Sequence, residues 1–491
     1  MTAGTTKRRP KTQRFEVEAL TRVEGEGSLK LVVRDGEVVE ARLGIFEAPR
    51  YFERIVHGRT PDEVIDIVAR ICGICPVAYQ MSAVHAFEDA AGVEPDPAVR
   101  ALRRLLYCGE WIESHALHVY FLHAPDFMGY PSAIEMARDH RVLVERALRL
   151  KKAGNHLVAL VGGRPIHPVT VRVGGFYQVP TRLAMTALRA ELTGALDVAL
   201  ETVAVVAGLA PPDFVREPRL VSLRHPTDYP MNDGRIVSTD GLDLAPTDWE
   251  AAFREDQVGW SNALQARTHA GEVYLLGPSS RITLAADQLH PRAAEALAGT
   301  GLADEIRRNP FRSIVARAVE LVHATALAID IIDDYRPPER ASAPWTPGPG
   351  VAAWATEAPR GLLFHRYELD EAGLVATARI VPPTSQNQAA IEADLSDFAH
   401  PSCTCPTTRP RTGSSSSSGA TTHASRARRT SWICEWTAGH DHAADGPAAR
   451  VWQRGARRRR RRAGSRGGTA AGTAAAPAGR PRGPPLRATG T

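Results

Sequence analysis

A change of composition near residue 400 decides how much of this 491-residue chain can fold. From Pro401 to Thr491 the sequence holds 17 arginines, no lysine and three acids, a net charge of +14, whereas the first 400 residues carry 43 basic and 52 acidic residues, a net charge of −9. The same final segment has one Ile, one Val, one Leu and no Phe. It cannot bury enough apolar surface to offset a chain entropy of about 1–2 kcal/mol per residue. We therefore predict a disordered basic tail over residues 399–491.

The remaining sequence predicts one large α+β unit that is mainly helical. Residues 1–14 are basic and polar and are expected to be disordered, which leaves residues 15–398 as the folded domain. Strands are expected within residues 14–48 around a turn at Asp35-Gly36, and again at 362–367 and 374–381. Helical spacing of apolar residues predicts helices at 77–91, 97–124, 132–161, 182–209 and 310–334, with Ser385 capping a last helix over 386–398.

The location of the protein is predicted from what the sequence lacks. No apolar run is long enough for a membrane span, and the first 15 residues have no apolar core of a signal peptide. The six cysteines are too few and too clustered for a disulfide scaffold. A cytoplasmic protein without a membrane span is expected.

Two thiols three residues apart form the first chemical signal. The segment Arg70–Pro76 reads RICGICP and follows a well-marked helix, because Thr60–Glu63 provides a capping box with proline at the first helical position. Cysteines at this spacing can converge on one metal ion or form one disulfide. By itself the pair is half of a metal site, since a thiolate site needs further ligands.

Spacing alone leaves four readings of Cys72 and Cys75 open: a metal site, a redox dithiol, half of a structural zinc site and a buried apolar pair. A thioredoxin-like dithiol lies in a βαβ setting, which this sequence does not predict. A zinc site needs a second regular pair, and the candidates Cys403 and Cys405 are spaced CxC inside the basic tail.

Short segments elsewhere in the chain carry further candidate residues. Singly, each has an ordinary explanation as a solvated acid, a core histidine or a surface arginine. The segments are Arg22-Val23-Glu24-Gly25-Glu26-Gly27, Arg50-Tyr51-Phe52-Glu53, the stretch from His115 and His118 to Asp126, Glu357-Ala358-Pro359-Arg360-Gly361 and Val381–Asn387.

In this order and spacing, these segments and the RICGICP element together resemble the large subunit of nickel–iron hydrogenases over about residues 15–398. The sequence CGICPVAYQ at residues 72–80 resembles the corresponding segment of the cytoplasmic, bidirectional, NAD(P)-linked branch of the family. The family is related to a subunit of respiratory complex I that lacks the cysteines. The resemblance therefore implies the hydrogenase large-subunit fold and reversible oxidation of H2 to protons and electrons.

The resemblance also implies roles for particular residues. Cys72 is expected to be a terminal nickel ligand, and Cys75 is expected to bridge nickel and iron, because thiolates suit soft metals. Glu24 is expected to shuttle protons. Arg360 is expected to lie above the nickel–iron centre and to act there together with Asp126.

The cofactors and partners follow from the same resemblance. Glu53 is expected to bind a structural Mg²⁺ or similar hard cation. The iron is expected to carry carbon monoxide and cyanide, inserted by maturation proteins. Electrons are expected to leave through an iron–sulfur small subunit towards NAD(P)-reducing diaphorase-type subunits, because this chain has no cysteine set for clusters.

The chain departs from its family at the C-terminus. A hydrogenase large subunit ends with an Asp-Pro-Cys-x-x-Cys-x-x-His segment, which is absent here. When ordinary codons for Thr421–Trp436 are read one base earlier, they can encode YDPCISCATHFLDLRV, which contains that motif. Our hypothesis is therefore a frameshift near residue 400. As written, the chain supplies two of four thiolates and is expected to be defective.

Two other functions compete with the hydrogenase. An Arg-rich tail could bind a polyanion without enzymatic activity, but it has few aromatic residues for base stacking, so no specific nucleic-acid partner is expected. A complex I-like structural subunit is disfavoured by Cys72 and Cys75.

Overall fold

A computed structural model describes the chain at residues 12–20, 26–35, 37–46 and 49–398. The helices are α1 Arg50–Ile55, α2 Pro61–Val68, α3 Pro76–Ala91, α4 Pro97–Leu117, α5 Ala124–Phe127, α6 Ala133–Asp139, α7 Arg141–Gly162, α8 Arg182–Ala207, α9 Trp249–Ala252, α10 Pro278–Ala285, α11 Pro291–Thr300, α12 Ala303–Arg308, α13 Ser313–Asp334 and α14 Pro383–Phe398. The strands are β1 Thr12–Val17, β2 Gly27–Arg34, β3 Glu37–Ile45, β4 Val171–Arg172, β5 Gly175–Phe176, β6 Val221–Arg224, β7 Arg235–Ser238, β8 Asp243–Leu244, β9 Phe253–Asp256, β10 Gln265–Thr268, β11 Gly350–Ala358, β12 Gly361–Leu369 and β13 Val375–Val381. The predicted disordered segments 1–14 and 399–491 lie wholly or largely outside the described residues.

Four long helices form the centre of the fold. Helix α4 packs against α7 and α13, and α8 packs against both α7 and α13. The close approach of α4 and α7 depends on two glycines. A Cβ on Gly109 would lie 2.9 Å from a side-chain carbon of Leu157, and a Cβ on Gly154 would lie 2.7 Å from the backbone nitrogen of Glu113. A larger residue at either position would force these helices apart.

Small antiparallel sheets surround this helical core. Strands β1, β2 and β3 form one meander, and β11, β12 and β13 form another. Helix α3 covers β11 and β12, whereas α14 packs against β3 and β10. The predicted fold class, mainly helical α+β, is confirmed. No helix within the described ranges combines the length and the apolar character that a membrane crossing requires.

The helix that leads to the cysteine pair begins as predicted. The Thr60 side chain accepts a hydrogen bond from the Glu63 backbone N–H at 3.3 Å, and the Glu63 carboxylate accepts one from the Thr60 N–H at 2.9 Å. Pro61 occupies the first helical position. After α2, a 3₁₀ turn at Ala69–Ile71 delivers the chain to the cysteines, and α3 starts immediately after them.

Several predicted boundaries were wrong. The helix predicted over 97–124 changes to a π-helical segment at His118–His123, and the one predicted over 132–161 is interrupted at His140. The last helix begins at Pro383 rather than after a Ser385 cap, because the buried Ser385 hydroxyl donates to the Leu264 carbonyl at 2.6 Å. Strand β11 was not predicted.

Candidate metal centre

Cys72 and Cys75 lie together between the 3₁₀ turn and α3. Their Cα atoms are 5.5 Å apart, and their sulfurs are paired as a disulfide in this structure. The N–H groups of Ile74 and Cys75 lie 3.4 and 3.0 Å from the Cys72 sulfur. Cys75 is also the residue that precedes the first turn of α3. Backbone donors and a helix N-terminus both stabilise negative charge on sulfur, so this setting suits two thiolates converging on one metal.

The pair opens onto a cavity of about 870 Å³. Cys72 is buried and Cys75 is half-buried, and both line the cavity wall. Arg360 lines the same cavity from the tight turn between β11 and β12, where Ala358 pairs with Gly361. Residues far apart in the sequence are therefore brought to one space, as the resemblance implied for Cys72, Cys75 and Arg360.

The electrostatic environment around Arg360 is positive. A second cavity, of about 350 Å³, shares Arg360 with the first and is lined also by Arg317 and His118. Burial, followed by the nearby charge of Arg360, lowers the pKa of Arg317 to about 9. Burial and the neighbouring arginines hold the pKa of His118 well below its usual value, so His118 is neutral at pH 7. Arginine charge near two thiolates complements an anionic metal centre.

A buried ion network supports the turn that carries Arg360. Arg281 on α10 donates to both carboxylate oxygens of Glu320 at 2.7 and 2.8 Å and to Glu357 at 2.8 Å. It also donates to the carbonyls of Ala358 and Pro359, each at 3.0 Å. Sequence reasoning missed Arg281 and Glu320. Glu357 was recognised only as part of a motif, and no local pattern marks the other two.

The charges in this network are compensated. Glu320 lies 2.9 Å from the His115 ring nitrogen and accepts a 2.8 Å hydrogen bond from the Tyr229 hydroxyl. Burial opposes its ionisation, but Arg281 and His115 outweigh that effect and hold the pKa of Glu320 far below its usual value. Burial lowers the pKa of His115 to about 4, so this histidine is neutral. Burial raises the pKa of Glu357 to about 7 although Arg281 opposes the shift.

Two acidic residues are close in sequence to Phe52 and Gln257, which line the 870 Å³ cavity, called the metal cavity below. The Glu53 carboxylate on α1 accepts the Ile380 N–H at 2.8 Å, and burial raises its pKa. Burial, and then the negative charge of Glu53, raise the pKa of Glu255 on β9 to about 7. Two partly buried carboxylates, one of which raises the pKa of the other, are suited to share a hard cation. Glu255 was not found by sequence reasoning.

The two remaining predicted site residues are Asp126 and Glu24. Asp126 lies half-buried on the short helix α5 and is not in the wall of the 870 Å³ cavity. Glu24 falls in residues 21–25, outside the described parts of the chain, although the flanking Leu20 and Glu26 line the 350 Å³ cavity. The proposed role of each stays a prediction.

The described donors fit half of a nickel–iron site. Within residues 12–20, 26–35, 37–46 and 49–398 no group of three or more His, Cys, Asp and Glu side chains is placed to hold a metal ion. Cys108, the other cysteine there, is fully buried, and burial raises the pKa of its thiol to about 12, so it is inert. Cys72 and Cys75 supply two soft ligands, and further ligands must come from outside the described residues.

Comparisons with known proteins identify the family of this chain. Residues 50–145 match the family described as nickel-dependent hydrogenase. The chain is 33% identical over 393 residues to the alpha chain of sulfhydrogenase 1 of Pyrococcus furiosus, covering 77% of this chain and 88% of that protein. It is 32% identical over 387 residues to the alpha chain of sulfhydrogenase 2 of the same organism, covering 78% and 91%. A crystal structure of an NAD⁺-reducing [NiFe]-hydrogenase in the H2-reduced state matches with a TM-score of 0.71 and 25% identity, covering 79% and 92%.

The fold and the cysteine cavity, taken with these matches, define a metal-dependent oxidoreductase acting on H2. The chain belongs to the nickel-dependent hydrogenase family, as a large, catalytic subunit of the nickel–iron type.

Proposed function

We propose that Cys72 and Cys75 hold a nickel–iron centre at which this subunit carries out H2 ⇌ 2H⁺ + 2e⁻. The observation that carries the proposal is the single cavity lined by both cysteines and by Arg360. In this proposal Cys72 would be a nickel ligand and Cys75 a ligand of nickel and iron, as the family resemblance implies, and the iron would carry carbon monoxide and cyanide. When bound, such a centre supplies the redox-active, Lewis-acidic metals at which H2 is polarised.

The protein's own groups have separable tasks in this proposal. The N–H groups of Ile74 and Cys75 stabilise negative charge on the Cys72 sulfur. Arg360 contributes a positively charged guanidinium to the wall of the cavity. Glu24 accepts the proton released in the reaction, and Asp126 orients Arg360, as the family resemblance implies.

Electrons are proposed to leave through an iron–sulfur small subunit, because the described part of this chain offers no further cysteine set for a cluster. Diaphorase-type subunits that reduce NAD(P) are the proposed acceptors. This assignment is supported by the likeness to an NAD⁺-reducing hydrogenase and by the sequence CGICPVAYQ at residues 72–80. Maturation proteins are proposed to insert the iron and its diatomic ligands.

The missing second cysteine pair is proposed to be encoded by the DNA that specifies Thr421–Trp436, in the reading frame that starts one base earlier. The coding DNA tests this directly. The bases across codons 420–436 should spell YDPCISCATHFLDLRV in that frame, and any other reading contradicts the proposal. We call the chain with this frame restored the frame-restored chain.

Hydrogen-dependent dye reduction tests the proposed activity. The frame-restored chain, produced together with the maturation proteins and an iron–sulfur small subunit, should reduce a viologen dye under H2. The same preparation with Cys75→Ser should show background reduction only, because one bridging thiolate is lost. A frame-restored complex that contains nickel but shows no H2-dependent reduction would contradict the assignment.

A hard cation is a second proposed cofactor, held by Glu53 and Glu255. If two carboxylates share it, Mg²⁺ should stabilise the folded chain by mass action. At a free concentration 100-fold above the dissociation constant, the gain is about 2.7 kcal/mol. We expect 10 mM Mg²⁺ at pH 8 to raise the melting temperature by roughly 2 °C or more in a thermal unfolding scan.

A matched set of acid-to-amide substitutions controls the Mg²⁺ experiment. Glu53→Gln and Glu255→Gln should each remove the Mg²⁺-dependent shift. Glu145→Gln, which alters an exposed acid paired with Arg141, should keep it. Equal Mg²⁺ shifts in all four proteins would show that these two carboxylates do not bind the ion.

A further inference from the structure

The turn that carries Arg360 is held in place by contacts to its backbone. Arg360 is the second residue of the two-residue turn between Ala358 and Gly361. A Cβ on Gly361 would lie 2.5 Å from the Leu276 Cβ, and a Cβ on Gly277 would lie 2.9 Å from the Arg360 carbonyl oxygen. The turn therefore lies directly against the segment that leads into α10, where Arg281 is located.

All five N–H groups of the Arg281 guanidinium donate hydrogen bonds in this region. A guanidinium has five N–H donors. Three of the hydrogen bonds go to the carboxylates of Glu320 and Glu357, and the other two go to the carbonyls of Ala358 and Pro359, the residues immediately before Arg360. The planar geometry of the group therefore fixes these two carbonyls relative to the carboxylates.

The network behind Arg281 is completely buried and belongs to the helical core. Arg281 is completely buried, and its guanidinium lies 4.4 Å from the centre of the Trp111 ring. Glu320 lies on α13, one of the four central helices, and is itself held by the Tyr229 hydroxyl. The backbone of the turn is thus attached to the helical core through one side chain.

Arg281 itself lies outside the walls of both cavities that Arg360 lines. A direct part in the chemistry is therefore not indicated. From these contacts we infer that Arg281 is a positioning residue, which fixes the turn so that the Arg360 guanidinium faces the metal cavity. The inference rests on the proposed function for its catalytic consequence, but its structural consequence can be measured on the chain as written.

Arg281→Lys tests this inference. Lysine keeps the charge that balances Glu320, but it cannot contact two carboxylates and two carbonyls at once. Amide hydrogen exchange in a peptide covering residues 358–362 should become at least tenfold faster, whereas exchange in residues 76–91 should not change. This readout requires neither metal nor activity.

Arg103→Lys is the matched control. Arg103 is also completely buried and pairs with both oxygens of Glu88 at 2.6 Å, but its backbone contact is to Arg172 rather than to the turn. A general loss of stability would affect both variants alike. The inference predicts that only Arg281→Lys accelerates exchange at residues 358–362.

Kinetics on the frame-restored complex give the second readout. Arg281→Lys should lower kcat for H2 oxidation about 10- to 100-fold with an unchanged KM for H2 and unchanged nickel content. Combined with Arg360→Lys, it should lower kcat no further than Arg360→Lys alone, because both act through one guanidinium. If Arg281→Lys does not fold, the isosteric Glu357→Gln, which weakens one contact of Arg281, should give the same changes at smaller amplitude.

The outcomes separate this inference from the proposed function. Unchanged exchange at residues 358–362, or full additivity with Arg360→Lys, would overturn the positioning role. Faster exchange in the variant, together with a parent complex that never oxidises H2, would keep the positioning of the turn and reject the function.

Discussion

Arg360→Lys should lower kcat for H2 oxidation by about 10²–10³-fold, a change typical of removing one preorganised electrostatic contact at a reacting centre. Arg360 lines the cavity together with Cys72 and Cys75, and it is the charged residue of the turn. Lysine keeps a charge but has a different reach and lacks the planar fork, so the charge would no longer occupy the same place. Initial rates of dye reduction in the frame-restored complex give the value.

Metal content separates this effect from loss of the centre. Arg360 is not proposed as a ligand, so nickel and iron per chain should not change in Arg360→Lys. Arg366→Lys provides the control, because Arg366 lies on β12, the strand that follows the turn, where it pairs with Glu368 and is not in the wall of the cavity. A decrease of less than twofold in Arg360→Lys, or an equal decrease in Arg366→Lys, would remove Arg360 from the mechanism.

The parts of the fold that were predicted correctly depend on local signals. The capping box at Thr60–Glu63 and the paired cysteines can be read from neighbouring residues, and the structure places them as expected. The hairpin of β12 and β13 follows from two apolar runs separated by Asp370–Gly373, where Gly373 has a positive φ of 74°. Turn chemistry of this kind needs no knowledge of the rest of the chain.

Strand β11 was missed because both of its faces are buried. Ala353 and Ala355 face one apolar cluster, whereas Ala352 and Ala358 belong to the other. A strand covered on both sides shows no alternation of apolar and polar residues, and alanine has a low strand propensity. Only the three-dimensional partners, α3 on one side and the second cluster on the other, explain why this segment is extended.

Only part of the candidate site could be predicted, because some of its residues carry no local sequence signal. Cys72, Cys75 and Arg360 belong to motifs, so resemblance located them. Arg281 and Glu255 are ordinary in sequence, and their proposed roles rest on partners far along the chain: Glu320 and Glu357 for the first and Glu53 for the second. Burial converts such residues into parts of a site, and burial is a property of the folded chain.

Restoring the reading frame should strongly increase nickel binding. Four-ligand thiolate and imidazole sites hold divalent metals with roughly 10–16 kcal/mol at neutral pH. Losing half of the ligands removes on the order of 5 kcal/mol or more, which corresponds to more than three orders of magnitude in affinity. The chain as written, with only Cys72 and Cys75 in the right setting, should therefore lose nickel during purification, whereas the frame-restored chain should keep it.

Cys75→Ser in the frame-restored chain is the matched control for this effect. Serine has nearly the same shape as cysteine, but a neutral hydroxyl is a poor ligand for soft metals. The variant should return nickel to the level of the chain as written. Cys108→Ser should not, because that buried thiol lies outside the metal cavity.

Elemental analysis of nickel and iron in these four purified proteins, each produced with the maturation proteins, tests the central claim most directly. We expect about one nickel and one iron per chain in the frame-restored protein and in Cys108→Ser, and at least tenfold less nickel in the chain as written and in Cys75→Ser. Stoichiometric nickel in Cys75→Ser, or none in the frame-restored protein, would contradict a nickel–iron centre at the Cys72–Cys75 cavity.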